Sequence, residues 1–234
     1  MATVVTIAQQ KGGAGKTSLA AHLATTWAHE GVGAFRALEQ MNGTGPPIAE
    51  NGSSGGRVTL IDLDPQQSLA TWFRLREELH GADNRIVLRS AGSFRIAAEI
   101  EKARKESDLI VIDSPPHAED AARAGIRLAD LVIVPLQLSP MDIWAARPTF
   151  EMIAKEKRKA LFVFNRVPQR ARMAESIAEA LKKENLPIAN AALGNRIAFA
   201  SSLMRGQGVV ESDPRSTAAD EMRQLALEVM RKLQ

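Results

Sequence analysis

The sequence predicts a single α/β domain: a doubly wound, mostly parallel sheet flanked by helices. Three observations carry this. Short β-rich apolar runs alternate with helical patterns along the chain, the rhythm of βαβ units. The runs Leu109-Ile-Val-Ile112 and Leu131-Val-Ile-Val-Pro-Leu136 are apolar almost throughout, as suits parallel strands covered on both faces. The 234 residues, 45% of them hydrophobic, supply one sizeable core, or at most two small ones.

In order along the chain, Val4 to Ala8 reads as a strand and Lys16 to Glu30 as a helix. Val58 to Asp62 is a second strand, followed by a helix from about Gln66 to His80. Arg85 to Arg89 is a short strand and Phe94 to Glu106 a helix. The two apolar runs follow, then a further strand at Leu161 to Phe164, with helices expected over 139–157, 171–184 and 214–233. Trp27, Trp72 and Trp144 fall inside these helices and read as core or interface residues rather than stacking platforms. One segment breaks the rhythm. Eleven of the fifteen residues from Asn42 to Gly56 are Gly, Pro, Ser or Asn, so they bury little and read as a flexible surface insertion.

Composition excludes several functions. There is no cysteine, which removes disulfides, thiolate-held zinc and iron–sulfur clusters and makes a cytoplasmic location the default. No run approaches the roughly 18 apolar residues of a membrane helix, and the N-terminus lacks a signal-peptide pattern. Charge is uneven. Residues 1–150 carry 15 Lys/Arg and 17 Asp/Glu, a net of −2, whereas residues 151–234 carry 15 and 10, a net of +5. A basic C-terminal third suits either a solvated surface or a polyanion-binding face.

Residues 9–18 read Gln-Gln-Lys-Gly-Gly-Ala-Gly-Lys-Thr-Ser, after a strand and opening a helix. That is the context of a phosphate-binding loop. Gly12, Gly13 and Gly15 let the backbone wrap phosphate oxygens with Ala14 between them, and the helix N-terminus at Thr17 and Ser18 adds positive potential. Lys16 would neutralise the terminal phosphates, and the Thr17 hydroxyl would ligate Mg²⁺.

The loop departs from G-x-x-x-x-G-K-[ST]: Gln10 takes the first glycine position and a second lysine, Lys11, follows it. K-G-G-x-G-K-T resembles the deviant Walker A motif of the ParA/MinD family. The likeness continues through Asp62-Leu-Asp-Pro-Gln66, Asp108 to Pro116, and Ala129 to Asp142, and so spans nearly the whole chain. It looks closest to small partition and positioning ATPases without a helix-turn-helix domain. The resemblance implies ATP and Mg²⁺ as ligands. Lys11 would reach across a homodimer to the partner's phosphates. Asp64 would orient the attacking water, Asp62 would support the magnesium shell, and Asp113 would hold Mg²⁺ through water. Asn165, with Arg166, sits where relatives recognise adenine.

By the same resemblance ATP drives dimerisation, the dimer binds DNA of the nucleoid without sequence preference, and a ParB-like adaptor stimulates hydrolysis. Nonspecific binding needs Lys/Arg on one face. Candidates are Lys155, Lys157, Arg158 and Lys159, then Arg170, Arg172, Arg196, Arg205 and Arg215. Arg196 and Arg170 or Arg172 lie near positions that the family uses. The alternatives are a MinD-like membrane switch and a metabolic P-loop synthetase. The first needs a basic amphipathic helix, but the helix over 214–233 mixes Asp220, Glu221 and Glu228 with its basic residues and lacks aromatics, so no stable membrane association is expected. The second lacks a visible nucleophile or second substrate site.

Overall fold

The computed structural model describes residues 2–35, 56–116, 118–168 and 186–233. The expected helix over 171–184, the insertion from Asn42 to residue 55, His117, Arg170 and Arg172 lie outside the described residues.

The architecture is the expected one. Six strands form a single all-parallel sheet in the order β3-β2-β4-β1-β5-β6. They are β1 (Thr3–Ile7), β2 (Val58–Asp62), β3 (Ile86–Ser90), β4 (Leu109–Asp113), β5 (Leu131–Leu136) and β6 (Lys159–Phe164). The helices among the described residues are α1 (Lys16–Glu30), α2 (Ser68–His80), α3 (Ile96–Ala103), α4 (Glu119–Leu128), α5 (Pro140–Lys155), α6 (Ile197–Leu203), α7 (Val209–Ser212) and α8 (Thr217–Leu233). The apolar runs explain the parallel pairing. In β4 and β5 every residue is buried, because helices cover both faces and no alternation of polar residues is possible.

Register fixes the site. β1 lies between β4 and β5, with Ile7 opposite Asp113. β2 lies on the other side of β4 and sets Asp62 opposite Asp113. Two acidic residues and the loop after β1 therefore meet at the carboxyl edge of the sheet, where open α/β sheets bind ligands.

On one face α1 is buried along almost its whole length, with Leu19, Leu23 and Trp27 in the largest apolar cluster. α8 closes this face with Met222, Leu225, Ala226, Val229 and Met230. A buried ion pair fastens the two helices: Arg223 Nε donates to Glu30 Oε1 at 2.8 Å, both side chains nearly inaccessible. Arg76 on α2 is likewise buried and donates to both oxygens of Glu211 at 2.8 and 2.7 Å. The apolar face of α8 is thus committed to the core, and no described helix is long and apolar enough to cross a membrane.

Some boundaries differ from expectation for local reasons. α2 starts at Ser68 rather than Gln66. The chain makes a turn at Asp64-Pro65-Gln66-Gln67, with Gln67 in the left-handed region at φ 54° and its N–H on Asp64 O at 2.9 Å. α4 leaves little apolar stripe in the sequence because its buried residues are Ala122, Ala124, Gly125 and Ile126, mostly too small to register. Gly125 lets α4 lie close on β1, where the Thr6 hydroxyl donates to Gly125 O at 2.9 Å. α6 and α7 have only 7 and 4 residues. Trp27 and Trp72 are buried, whereas Trp144 is 68% exposed.

Candidate functional site

The loop from Gln9 to Gly15 leaves β1 and is tied down by side chains from the far half of the chain. Gln137 Nε2 and Arg166 Nη1 donate to Gly13 O at 3.3 and 3.2 Å. Asn165 Nδ2 donates to Ala14 O at 2.9 Å. On α5, Thr149 Oγ1 accepts from the Gln10 N–H at 3.2 Å and donates to Gln9 Oε1 at 3.1 Å. Carbonyls are drawn outward by these bonds, which leaves the loop N–H groups for an anion at the N-terminus of α1.

At Gly15 a side chain would meet both backbone strain and a neighbour. The glycine caps α1 with φ 90°, and a Cβ there would fall 2.5 Å from Asn165 Nδ2. Gly15→Ala is expected to cost about 1–3 kcal/mol through backbone strain and displacement of Asn165. A thermal melt matching that of the unsubstituted protein would show that the loop relaxes freely.

Lys16 and Thr17 open α1. Lys16 is 6% exposed, and its Nζ donates to Lys11 O at 3.4 Å. Burial pushes its ammonium below the usual range, opposed by the carboxylates of Asp113 and Asp64. The Thr17 hydroxyl donates to Asp113 Oδ2 at 2.6 Å. Asp113 is fully buried, and its other oxygen, Oδ1, has no hydrogen-bond partner. Burial pushes its carboxyl up to about 7; Asp62 adds to the rise, and the Thr17 hydroxyl and Lys16 oppose it. An orphaned oxygen on a carboxyl that resists ionisation, beside a threonine hydroxyl, is a donor set suited to a hard cation. Among the described residues no group of three or more His, Cys, Asp or Glu is arranged to hold a metal alone. A cation at Asp113 and Thr17 would therefore complete its shell with water and ligand oxygens, as Mg²⁺ does on phosphates.

Asp62 and Asp64 form a second layer. Asp62 accepts from Asp64 N–H through Oδ1 at 2.9 Å and from Ala70 N–H through Oδ2 at 3.2 Å. Burial raises its pKa, and those two N–H bonds oppose the rise. Asp62 therefore braces the turn that carries Asp64 and ties it to α2. Asp64 Oδ1 accepts from Gln66 N–H at 2.9 Å.

Lys11 stands apart from its neighbours. Its Nζ donates to Asp142 Oδ1 on α5 at 2.8 Å, with the lysine side chain 38% and the aspartate 9% exposed. Asp142 ends the segment Ala129 to Asp142, and its pairing with Lys11 joins positions 131 residues apart. A cleft of about 260 Å³ runs from Gly15 and Ser18 past Asn165 and Arg166 to Gly194, Asn195 and Arg196, with His22 and Phe199 at its back. His22 is buried, accepts from Val209 N–H through Nδ1 at 3.2 Å and faces Phe199 O through Nε2 at 3.1 Å, so it clamps α6 and α7 to α1.

The expected DNA-contacting arginines divide. Arg196 is turned onto Glu221 by two bonds, Nε at 3.0 Å and Nη2 at 2.6 Å, which neutralise it in this conformation. Arg205 is exposed and has no carboxylate partner among the described residues.

Fold and loop together define a P-loop nucleotide-binding domain of the doubly wound kind. No family model matches the chain. Among curated proteins it is 27% identical over 194 residues to "maintenance of carboxysome distribution protein A" of Halothiobacillus neapolitanus, spanning 78% of this chain and 89% of that protein. It is also 27% identical over 154 residues to "Protein ParA" of Rhizobium radiobacter, spanning 66% of this chain and 57% of that longer protein. Among solved structures, the septum site-determining protein MinD of Pyrococcus horikoshii, complexed with Mg-ADP, superposes with a TM-score of 0.72 at 17% identity, covering 98% of this chain and 96% of its own. A Cyanothece McdA–ATP complex gives 0.69 at 17%, covering 99% and 96%. Cobyrinic acid a,c-diamide synthase of Mycobacterium smegmatis, with ADP and magnesium, gives 0.69 at 19%, covering 99% and 95%. Relatives and neighbours are consistent with a ParA/MinD-type deviant Walker A ATPase, and the resemblance carried by Lys11 to Thr17 stands.

Proposed function

We propose that this chain is an ATP-hydrolysing positioning switch: ATP with Mg²⁺ drives dimerisation, the dimer binds nucleoid DNA nonspecifically, and an adaptor of the ParB kind stimulates hydrolysis and release. The observation that carries this reading is Lys11. A lysine meant for its own loop would point into it, as Lys16 does; Lys11 instead rests on Asp142 at the surface edge of the site. It is stored where a second subunit can take it, and delivery of a cation in trans makes dimerisation depend on the triphosphate.

Within each subunit the loop N–H groups from Gly12 to Ser18 and the Lys16 ammonium hold the phosphates, while Thr17 and Asp113 hold the Mg²⁺ that screens their charge. Asp62 keeps the Asp64 turn in register, and Asp64 orients the attacking water. Asn165 and Arg166 close the cleft over the base. Cooperation between Lys11 and Asp64 leaves little for a lone subunit to catalyse, so hydrolysis is slow until a partner engages. The relative matched over most of its length is named for carboxysome distribution, which favours a protein assembly over a plasmid as cargo.

Asp64→Ala is the direct test. It should slow hydrolysis at least about 100-fold, as loss of a water-positioning group does, and accumulate an ATP-bound dimer by sedimentation. Normal turnover in that variant would remove Asp64 from its role. Lys11→Ala should bind ATP yet remain monomeric; a dimer as tight as the unsubstituted one would refute delivery in trans.

A further inference from the structure

We propose that the corner where α5 turns into β6 is a contact surface for the phosphate backbone of duplex DNA, at the amino edge of the sheet and away from the nucleotide site. The proposal rests on the DNA-binding part of the function above and gives it a location that the family resemblance does not supply.

Lys155, Lys157, Arg158 and Lys159 are all exposed there, and none has a carboxylate partner among the described residues. The nearest hydrogen bond of Lys159 Nζ is to a carbonyl, Lys232 O at 3.4 Å, which brings the exposed Lys232 of α8 to the same corner. The single acid in the run, Glu156, is drawn away towards Arg123 on α4, 3.9 Å distant. Several arginines elsewhere are spent internally. Arg76, Arg85, Arg89, Arg196 and Arg223 each sit on a carboxylate at 3.3 Å or less.

Backbone geometry adds an independent argument. The α5 terminus is a Schellman turn: Lys157 N–H bonds Ala154 O at 3.1 Å, Arg158 N–H bonds Ile153 O at 3.2 Å, and Lys157 occupies the left-handed position at φ 52°. Glycine is the favoured residue at that position, because a Cβ there is strained. A helix-dipole role accounts for Lys155 in the last turn, but Lys157, Arg158 and Lys159 lie beyond the helix. A lysine at a glycine position, followed by two more cations, carries its charge at a cost in stability.

DNA fits this surface better than a bilayer. A membrane-surface site joins its cations to apolar side chains that enter the acyl boundary. The exposed large apolar residues lie elsewhere: Leu79 on α2, Val87 on β3, Phe94, Met141 and Trp144 at the start of α5, Ile197 on α6, and Met204. Trp144 and Lys155 are separated by about 16 Å along α5 at the helical rise. Bare charge without apolar anchors is what phosphate neutralisation uses.

Lys157→Gly separates use of the charge from support of the fold. It should raise Tm by about 2–4 °C while weakening binding of the ATP-bound protein to random-sequence duplex DNA. A lower Tm would mean that the lysine is structural and would overturn the proposal. The variant Lys157→Gly/Arg158→Gln/Lys159→Gln should lose about tenfold or more in affinity, and its log–log salt dependence should become less steep by about 2.7 per subunit, with basal ATP hydrolysis unchanged. Should that variant bind DNA with unaltered affinity and slope while Arg205→Glu abolishes binding, the surface is elsewhere and the switch reading stands. Absence of duplex binding by the ATP-bound unsubstituted protein would end both this proposal and the DNA part of the switch. Binding to phosphatidylserine vesicles in place of DNA would overturn this surface in favour of a membrane.

Discussion

Asp113→Asn is expected to make the nucleotide-free protein more stable and to abolish Mg²⁺-dependent nucleotide binding in the same stroke. Its carboxyl is wholly buried, and burial holds it up at about 7 against 3.8 when unfolded. The sign follows from linkage. A carboxyl raised on folding contributes its full stability below about pH 3.8 and loses it as pH climbs through about 7. Above pH 7 the native state holds a buried charge with one unpartnered oxygen, a penalty on the order of 2–4 kcal/mol. Asparagine accepts the Thr17 hydroxyl equally well without the charge. The variant should therefore melt several degrees higher than the unsubstituted protein at pH 8, with the gap closing towards pH 4. Calorimetry across that range checks the stability, and titration with Mg²⁺ and nucleotide checks the binding. Equal melting curves at pH 8 would mean that Asp113 is not a destabilising buried anion.

Lys16→Ala should lower nucleotide affinity by about 100- to 1000-fold, because it removes charge-assisted bonds to phosphate worth roughly 3–4 kcal/mol together. The nucleotide-free fold should change little. Lys16 is itself a buried cation that burial disfavours, and its loss removes that cost while leaving Asp113 less compensated. Isothermal titration with Mg²⁺ and ATP measures the effect. A loss below tenfold would place the phosphates elsewhere than the loop from Gly12 to Ser18.

Much of the fold and of the site is legible in the sequence. Strands such as β4 and β5 are legible because apolar runs covered on both faces leave no ambiguity of period, whereas β3, with Ile86 alone buried, is marked by its short aliphatic run. The phosphate loop was legible because glycines and a lysine must stand in a fixed order between strand and helix. What escaped depends on distance in sequence or on small side chains. α4 hides its face in Ala122 and Gly125. The clasp of Asp142 on Lys11, and of Thr149 on Gln9 and Gln10, joins residues that no local pattern connects. A list of arginines, likewise, does not tell Arg196, spent on Glu221, from Arg205, which is not.

The loop that begins at the ninth residue is fastened by Gln137, Thr149, Asn165 and Arg166. Those four fastenings stand 124, 139, 151 and 153 positions away from the loop residues they hold. The shape of the phosphate cradle therefore depends on the docking of β5, α5 and β6, and a local change in any of those elements is transmitted to it.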